Sequence, residues 1–169
     1  QELVKVMQQT PDLIGIKKMI GDNKVAPPPT LSKLNQIAFA DMPSDTDGMI
    51  RRGLLSAYDD EADNFFMGLA ARLSLNYLEK KGIELASNEP EGKSLRLGKA
   101  VFYPLTGKEF AYRQPDLGSY QILLNFCKLG DNFDTVNLRD VISGQVSESQ
   151  VRSRIVLIGT TAKSVNDFH

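Results

Sequence analysis

The chain has almost none of the side chains that make and break bonds. Its 169 residues include one histidine, one cysteine and no tryptophan. The histidine is the final residue, His169, where it lacks the rigid support on both sides that a Ser–His–Asp or Cys–His arrangement needs. No pair of histidine and cysteine residues has the spacing of a zinc site. We therefore expect no metal, no cofactor and no enzymatic activity.

Charge and apolar patterning exclude further classes of protein. The 20 basic and 21 acidic residues leave a net charge of −1 without a basic stripe, so nucleic acid is not an expected partner. No apolar stretch reaches the roughly 18–20 residues that span a bilayer. Cys127 lies in an apolar run, which favours a buried hydrophobe over a reactive thiol. Because the chain begins with Gln1 rather than methionine, we expect it to be a piece of a longer protein.

Periodicity predicts both helices and strands. A stripe of apolar residues at helical spacing predicts a helix over Phe65 to Lys81, capped by Asp63 or Asn64 and ended by Gly82. Ile155 to Ile158 are apolar without alternation, which is typical of a strand covered on both faces. We predict an α/β fold with a central mixed sheet, parallel inner strands and flanking helices. The alternative is an α+β fold with a mostly antiparallel sheet, because hairpin signals are numerous.

Local signals place several shorter elements. They predict a helix over Glu2 to Gln9 that ends before Pro11, a tight loop over Pro43 to Gly48, and a hairpin turning at Gly98 and Lys99. A strand is expected over Tyr120 to Cys127 and a helix over Leu138 to Ser143. Ser147 and Gln150 have the spacing of a capping box, which predicts one further helical turn.

Two pairs of residues are the candidate ligand-binding positions. Arg51 and Arg52 follow the Asp47-Gly48 loop on successive strand positions, so we expect one to be buried against an aspartate or to meet an anion while the other faces water. A structural ion pair is the favoured interpretation. Thr160 and Thr161 follow the strand predicted at Ile155 to Ile158 and carry hydroxyls that suit a small ligand, although capping the next turn is their commoner use.

Two apparent motifs fail on spacing. Asp45-Thr-Asp47-Gly48 has part of the pattern of an EF-hand loop, but Pro43 and Leu54 stand where that loop needs carboxylates, so a turn is expected. Lys163-Ser164 follows the candidate strand without the glycine spacing of a P-loop.

Several blocks of sequence follow one another in a fixed order: Pro11-Asp-Leu-Ile-Gly-Ile, Ala26-Pro-Pro-Pro, Phe39-Ala-Asp, Asp45-Thr-Asp-Gly-Met-Ile-Arg-Arg, Ser119-Tyr-Gln-Ile-Leu-Leu-Asn, Val136-Asn-Leu-Arg-Asp-Val-Ile-Ser-Gly, and Arg154-Ile-Val-Leu-Ile-Gly-Thr-Thr-Ala through Asp167-Phe168. This ordered set resembles the CHASE2 sensor domains, the extracytoplasmic modules of bacterial, often cyanobacterial, receptors. The resemblance implies that residues 1–169 form a single sensor domain, without the N-terminal strands and flanking membrane helices of the family pattern. It carries over no catalytic or ligand residues.

The resemblance also implies a function and a setting. We expect a periplasmic signal-sensing part of a cell-membrane receptor that binds a small molecule or a partner and controls a cytoplasmic adenylate cyclase, histidine kinase or serine/threonine kinase. If the early strands are absent, an unpaired sheet edge predicts a homodimer. The alternatives are a structural module that holds receptor subunits together, and a fragment of a soluble transferase or hydrolase with Thr160, Thr161, Lys163 and Arg51 around a pocket.

Overall fold

The computed structural model describes residues 1–87, 94–106, 119–126 and 133–160. The chain divides into two compact units, Gln1–Asn125 and Phe126–His169. In the described residues the helices are α1 (Glu2–Gln9), α2 (Pro29–Lys33), α3 (Leu69–Glu79), α4 (Leu138–Ile142) and α5 (Glu148–Val151). The strands are β1 (Gly15–Lys17), β2 (Ile37–Phe39), β3 (Arg52–Asp59), β4 (Asn64–Met67), β5 (Leu85–Ser87), β6 (Leu95–Leu97), β7 (Ala100–Phe102) and β8 (Ser119–Leu123).

Strand β3 is the central strand of the first unit. It pairs antiparallel with β4 on one edge and with β8 on the other. Strands β1 and β2 pair in parallel, and a parallel bridge from Phe39 to Gly68 joins β2 to the residue that follows β4. The described strands thus form a parallel pair, β1-β2, and a three-stranded antiparallel sheet, β4-β3-β8, which this single bridge links. This confirms the predicted mixed α/β class. Strands β5, β6 and β7 form a separate antiparallel meander.

The core of this unit lies around the junction of β2 and β3. Phe39 is 1% exposed and packs with Met19, Leu54 and Ala57, while the half-buried Phe66 covers the cluster from β4. All three residues of β2 are buried, as expected for a strand with neighbours on both edges. Burial of these apolar side chains, at about 25 cal/mol per Å² removed from water, holds the parallel pair onto the antiparallel sheet.

The predicted helix over Phe65 to Lys81 was wrong in its first turn. Residues 64–67 form β4 instead, in register with residues 56–59 of β3. Asp63 adopts a positive φ of 48°, which closes the turn between the two strands, so neither Asp63 nor Asn64 caps a helix. The aromatic pair Phe65-Phe66 suits a strand, and cross-strand pairing outweighs its helical spacing. Gly68, in an extended conformation, is the N-cap of α3. The helix ends at Glu79, two residues before the predicted end, and Gly82, with a φ of +72°, follows its C-cap Lys80 by two residues.

The prediction of an inner strand at Ile155 to Ile158 was also wrong. These residues, which belong to the second unit, form no strand, and their side chains are from 52% (Ile155) to 85% (Ile158) exposed. An apolar run forms a strand only where another strand supplies its backbone hydrogen bonds, and that pairing cannot be read from the run itself.

Most of the short local predictions were confirmed. Helix α1 has the predicted bounds, and β6 and β7 form the hairpin that turns at Gly98, whose φ is +60°. Helix α4 begins after Asn137, and the Ser147 amide donates to Gln150 Oε1 over 2.8 Å, as the capping box predicts. Strand β8 ends at Leu123, and Cys127 lies outside the described residues. Within the described ranges, every helix is too short or too polar to reach from one face of a bilayer to the other.

We predict that Gly68→Ala destabilises the first unit. A Cβ built on Gly68 would overlap the carbonyl oxygen of Leu54 and contact the ring of Phe39, so β4 and α3 would have to move away from β3. Overpacking of this kind costs about 1–3 kcal/mol. Urea unfolding followed by circular dichroism measures the change. The matched control is Gly159→Ala, whose Cβ would meet open space and should stay within about 0.5 kcal/mol. Equal stability of the two variants would contradict the close approach.

Candidate functional site

The loop before β3 is a hairpin turn. The Asp45 amide donates to the Met49 carbonyl over 2.8 Å, and the Gly48 amide donates to the Asp45 carbonyl over 2.8 Å. Gly48 has a φ of +80°, the conformation in which glycine is least strained. The predicted turn is confirmed. In the described part of the chain, no three His, Cys, Asp or Glu side chains are grouped so that they could hold a metal ion.

The two candidate arginines are held by the aspartates of this turn. Arg52 is 7% exposed, and its Nε donates to Asp45 Oδ1 over 2.8 Å while its Nη1 donates to Gln121 Oε1 of β8 over 2.9 Å. The side chain of Arg51 is 46% exposed; it donates to Asp45 over 3.0 Å and to both carboxylate oxygens of Asp47 over 2.9 Å. The predicted structural ion pair is confirmed. Ligand contact at either arginine stays a prediction.

The contact with Arg51 keeps Asp47, the exposed aspartate of the turn, ionised at neutral pH. The hydrogen bond from Arg51 is the largest cause that lowers the pKa of Asp47 from 3.8 to about 2, and the Met49 amide adds to it. Since the folded-state pKa is depressed, the stabilisation from this contact is present above about pH 4 and is lost as the pH falls towards 2. At neutral pH the aspartates of the turn therefore neutralise the arginines beside them.

A second ion pair lies at the other end of β3. Lys17 Nζ of β1 is 2.5 Å from Asp59 Oδ2, and both side chains are about nine-tenths buried. The same ammonium lies 3.9 Å from the ring centroid of Phe66, a cation–π geometry. The hydrogen bond from Lys17 is the main cause that lowers the pKa of Asp59. Arg52 and Asp59, the first and last residues of β3, are thus each held in an ion pair.

Between these two ends, β3 forms the floor of an apolar cleft of about 280 Å³. The walls come from Met67 of β4, from α3, from β8 and from the β5-β6-β7 meander. Among the described residues, the cleft is lined mainly by Leu55, Met67, Leu75, Leu97, Phe102 and Ile122, and the polar side chains of the lining are those of Ser56 and Ser74.

Sequence reasoning missed this cleft. The alternation of Leu95 and Leu97 in β6 was a signal for one apolar face, since residues two apart in a strand share a face. The apolar stripe that predicted α3 included Ala70, which lines the cleft, but not Ala71 and Ser74 beside it.

The remaining sequence candidates lie in the second unit. Thr160 is exposed in irregular structure after residues 155–158. Thr161, Lys163 and Ser164 lie outside the described residues, as does His169. The threonine site therefore stays a prediction.

Comparison with known proteins identifies one family. The model of the CHASE2 domain matches residues 1–169, which is the whole chain. Searches of curated proteins and of solved structures each found no match.

We predict that the two aspartates of the turn differ in their effect on stability. Asp45→Asn removes the charge that compensates the buried Arg52 and should lower the free energy of unfolding by about 3 kcal/mol, the lower end for a broken buried pair because the amide still accepts a hydrogen bond. Asp47→Asn, the matched control, changes an exposed contact and should be close to neutral. Urea unfolding at pH 7 measures both. Similar losses of unfolding free energy in the two variants would show that the burial of Arg52 does not determine the cost of removing a partner's charge.

Proposed function

The chain belongs to the CHASE2 domain family, and we propose that it is the extracytoplasmic sensor domain of a membrane-bound receptor. Members of this family are extracellular sensor domains. The observation that carries the proposal is the extent of the match, because it covers residues 1–169 rather than one part of the chain. The receptor would control a cytoplasmic adenylate cyclase, histidine kinase or serine/threonine kinase.

A sensor of this kind acts through recognition. A bound molecule shifts a receptor between two states only by as much as its affinities for those states differ. Coupling of about 1–3 kcal/mol is typical and changes the population of the signalling state by about 5–150-fold. The first unit supports this role with a rigid central strand, β3, beside an apolar cleft.

A structural or dimerisation module is the second candidate. The pairing of Arg51 and Arg52 with aspartates of their own turn favours a structural role over an anion-binding one for these two residues. We also propose that the receptor is a homodimer. Strand β1 supports this, since among the described strands it pairs with β2 alone and Ile16 on it is exposed.

The location of the domain is testable in the full-length protein. We predict that Thr46→Cys, at the exposed tip of the turn, reacts with a membrane-impermeant maleimide in intact cells as strongly as after lysis. The background is Cys127→Ser, which removes the chain's single native cysteine, and the unmodified Cys127→Ser protein is the control for other cysteines of the receptor. Labelling that appears only after lysis would contradict an extracytoplasmic position.

The same protein tests the link to output. Deletion of residues 1–169 should change the kinase or cyclase activity of the receptor in membranes and should abolish its response to signal. A structural module predicts a different result: deletion would lower the dimer fraction, and no added solute would alter the activity of the intact receptor.

A further inference from the structure

We propose that the apolar cleft beside β3 binds a small hydrophobic molecule that carries one hydroxyl group. Its lining is almost entirely aliphatic and aromatic, with Ser56 of β3 and Ser74 of α3 as the polar exceptions. Ligand pockets have this composition: an apolar surface supplies affinity, and a few polar groups set the orientation of the ligand. The signalling consequence rests on the proposed sensory function, whereas binding is a property of this chain alone.

The volume of the cleft limits the size of the molecule that it can bind. An apolar cavity of about 150 Å³ holds benzene, so 280 Å³ holds about eleven non-hydrogen atoms. A stable protein interface needs about 800 Å² from each partner, far more than this cleft presents. The cleft by itself therefore fits a small molecule better than it fits a protein partner.

The polar groups define the chemistry at one end of the ligand. No hydrogen bond to the hydroxyl of Ser56 or of Ser74 is formed within the described residues. Each hydroxyl can donate one hydrogen bond and accept others, so both suit a ligand hydroxyl. Among the described residues, the lining holds no charged side chain, which disfavours a carboxylate or an ammonium group.

The walls of the cleft connect it to the rest of the fold. Leu55 and Ser56 of the floor lie between Leu54 and Ala57, which belong to the buried core, and the pairing of β3 with β8 shifts register between Leu54 and Ser56. A ligand that displaces water from the cleft also packs α3 against the sheet. Binding would thereby favour one arrangement of α3 relative to β3, which is the differential affinity that a sensor requires.

The experiment uses 4-butylphenol, which has eleven non-hydrogen atoms, and butylbenzene, which lacks its hydroxyl. Calorimetric titration into the chain should show saturable binding of both, with 4-butylphenol the tighter. Ala71→Phe places a ring in the cleft and should weaken both by at least tenfold. Its matched control is Ala62→Phe, in the exposed turn between β3 and β4, which should leave both affinities unchanged.

A second variant keeps the test decisive if Ala71→Phe fails to fold. Ser56→Ala combined with Ser74→Ala should weaken 4-butylphenol by about 3–10-fold, the range of one or two hydrogen bonds, and leave butylbenzene unchanged. Absence of saturable binding to the unmodified chain would overturn the assignment. It would also be overturned if light scattering showed that Ala71→Phe converts a dimer to a monomer, since a second copy would then occupy the cleft.

The receptor output separates this inference from the proposed function. If 4-butylphenol binds the chain but leaves the activity of the full-length receptor unchanged, the cleft assignment stands and the sensory use of the cleft fails. If it does not bind while the domain is extracytoplasmic and deletion abolishes the signal response, the cleft assignment fails and the proposed function stands.

Discussion

The first unit depends on one constraint, which is the fixing of β3 at both ends and along both edges. Its first residue, Arg52, is buried against Asp45, and its last residue, Asp59, is paired with Lys17. Antiparallel partners satisfy its backbone on each side. A buried charge left without its partner costs several kcal/mol, so these pairs allow few alternative registers for the strand. The position of β3 therefore determines the positions of the core and of the cleft beside it.

Two residues beside β3, Gly68 and Asp63, meet special conformational demands. Gly68 lies so close to Leu54 that a side chain there would force the strands apart, and this proximity lets the chain pass from β4 directly into α3. Asp63 adopts a left-handed conformation that turns the chain between β3 and β4. Both residues serve the same end, because they bring β4 and α3 against the central strand and so build two walls of the cleft.

The parts of the structure that were predictable from sequence are those set by local chemistry. Proline ends α1, glycine permits the turn at Gly98, and serine with glutamine caps α5. Pairing is not local, so Phe65 and its neighbours were assigned to a helix although they form β4. The ion pair at Arg52 was foreseeable because arginine follows aspartate across a short turn. The cleft was not, since it is assembled from elements up to 67 positions apart, Leu55 to Ile122.

Native-state amide hydrogen exchange tests the role of β3 most directly. If the ion pairs and the two flanking strands make β3 the most stable element, the amides of the strand's middle residues should exchange only through global unfolding. Their exchange free energies would then equal the free energy of unfolding measured with urea. Local exchange of these amides, at free energies well below the global value, would contradict the account.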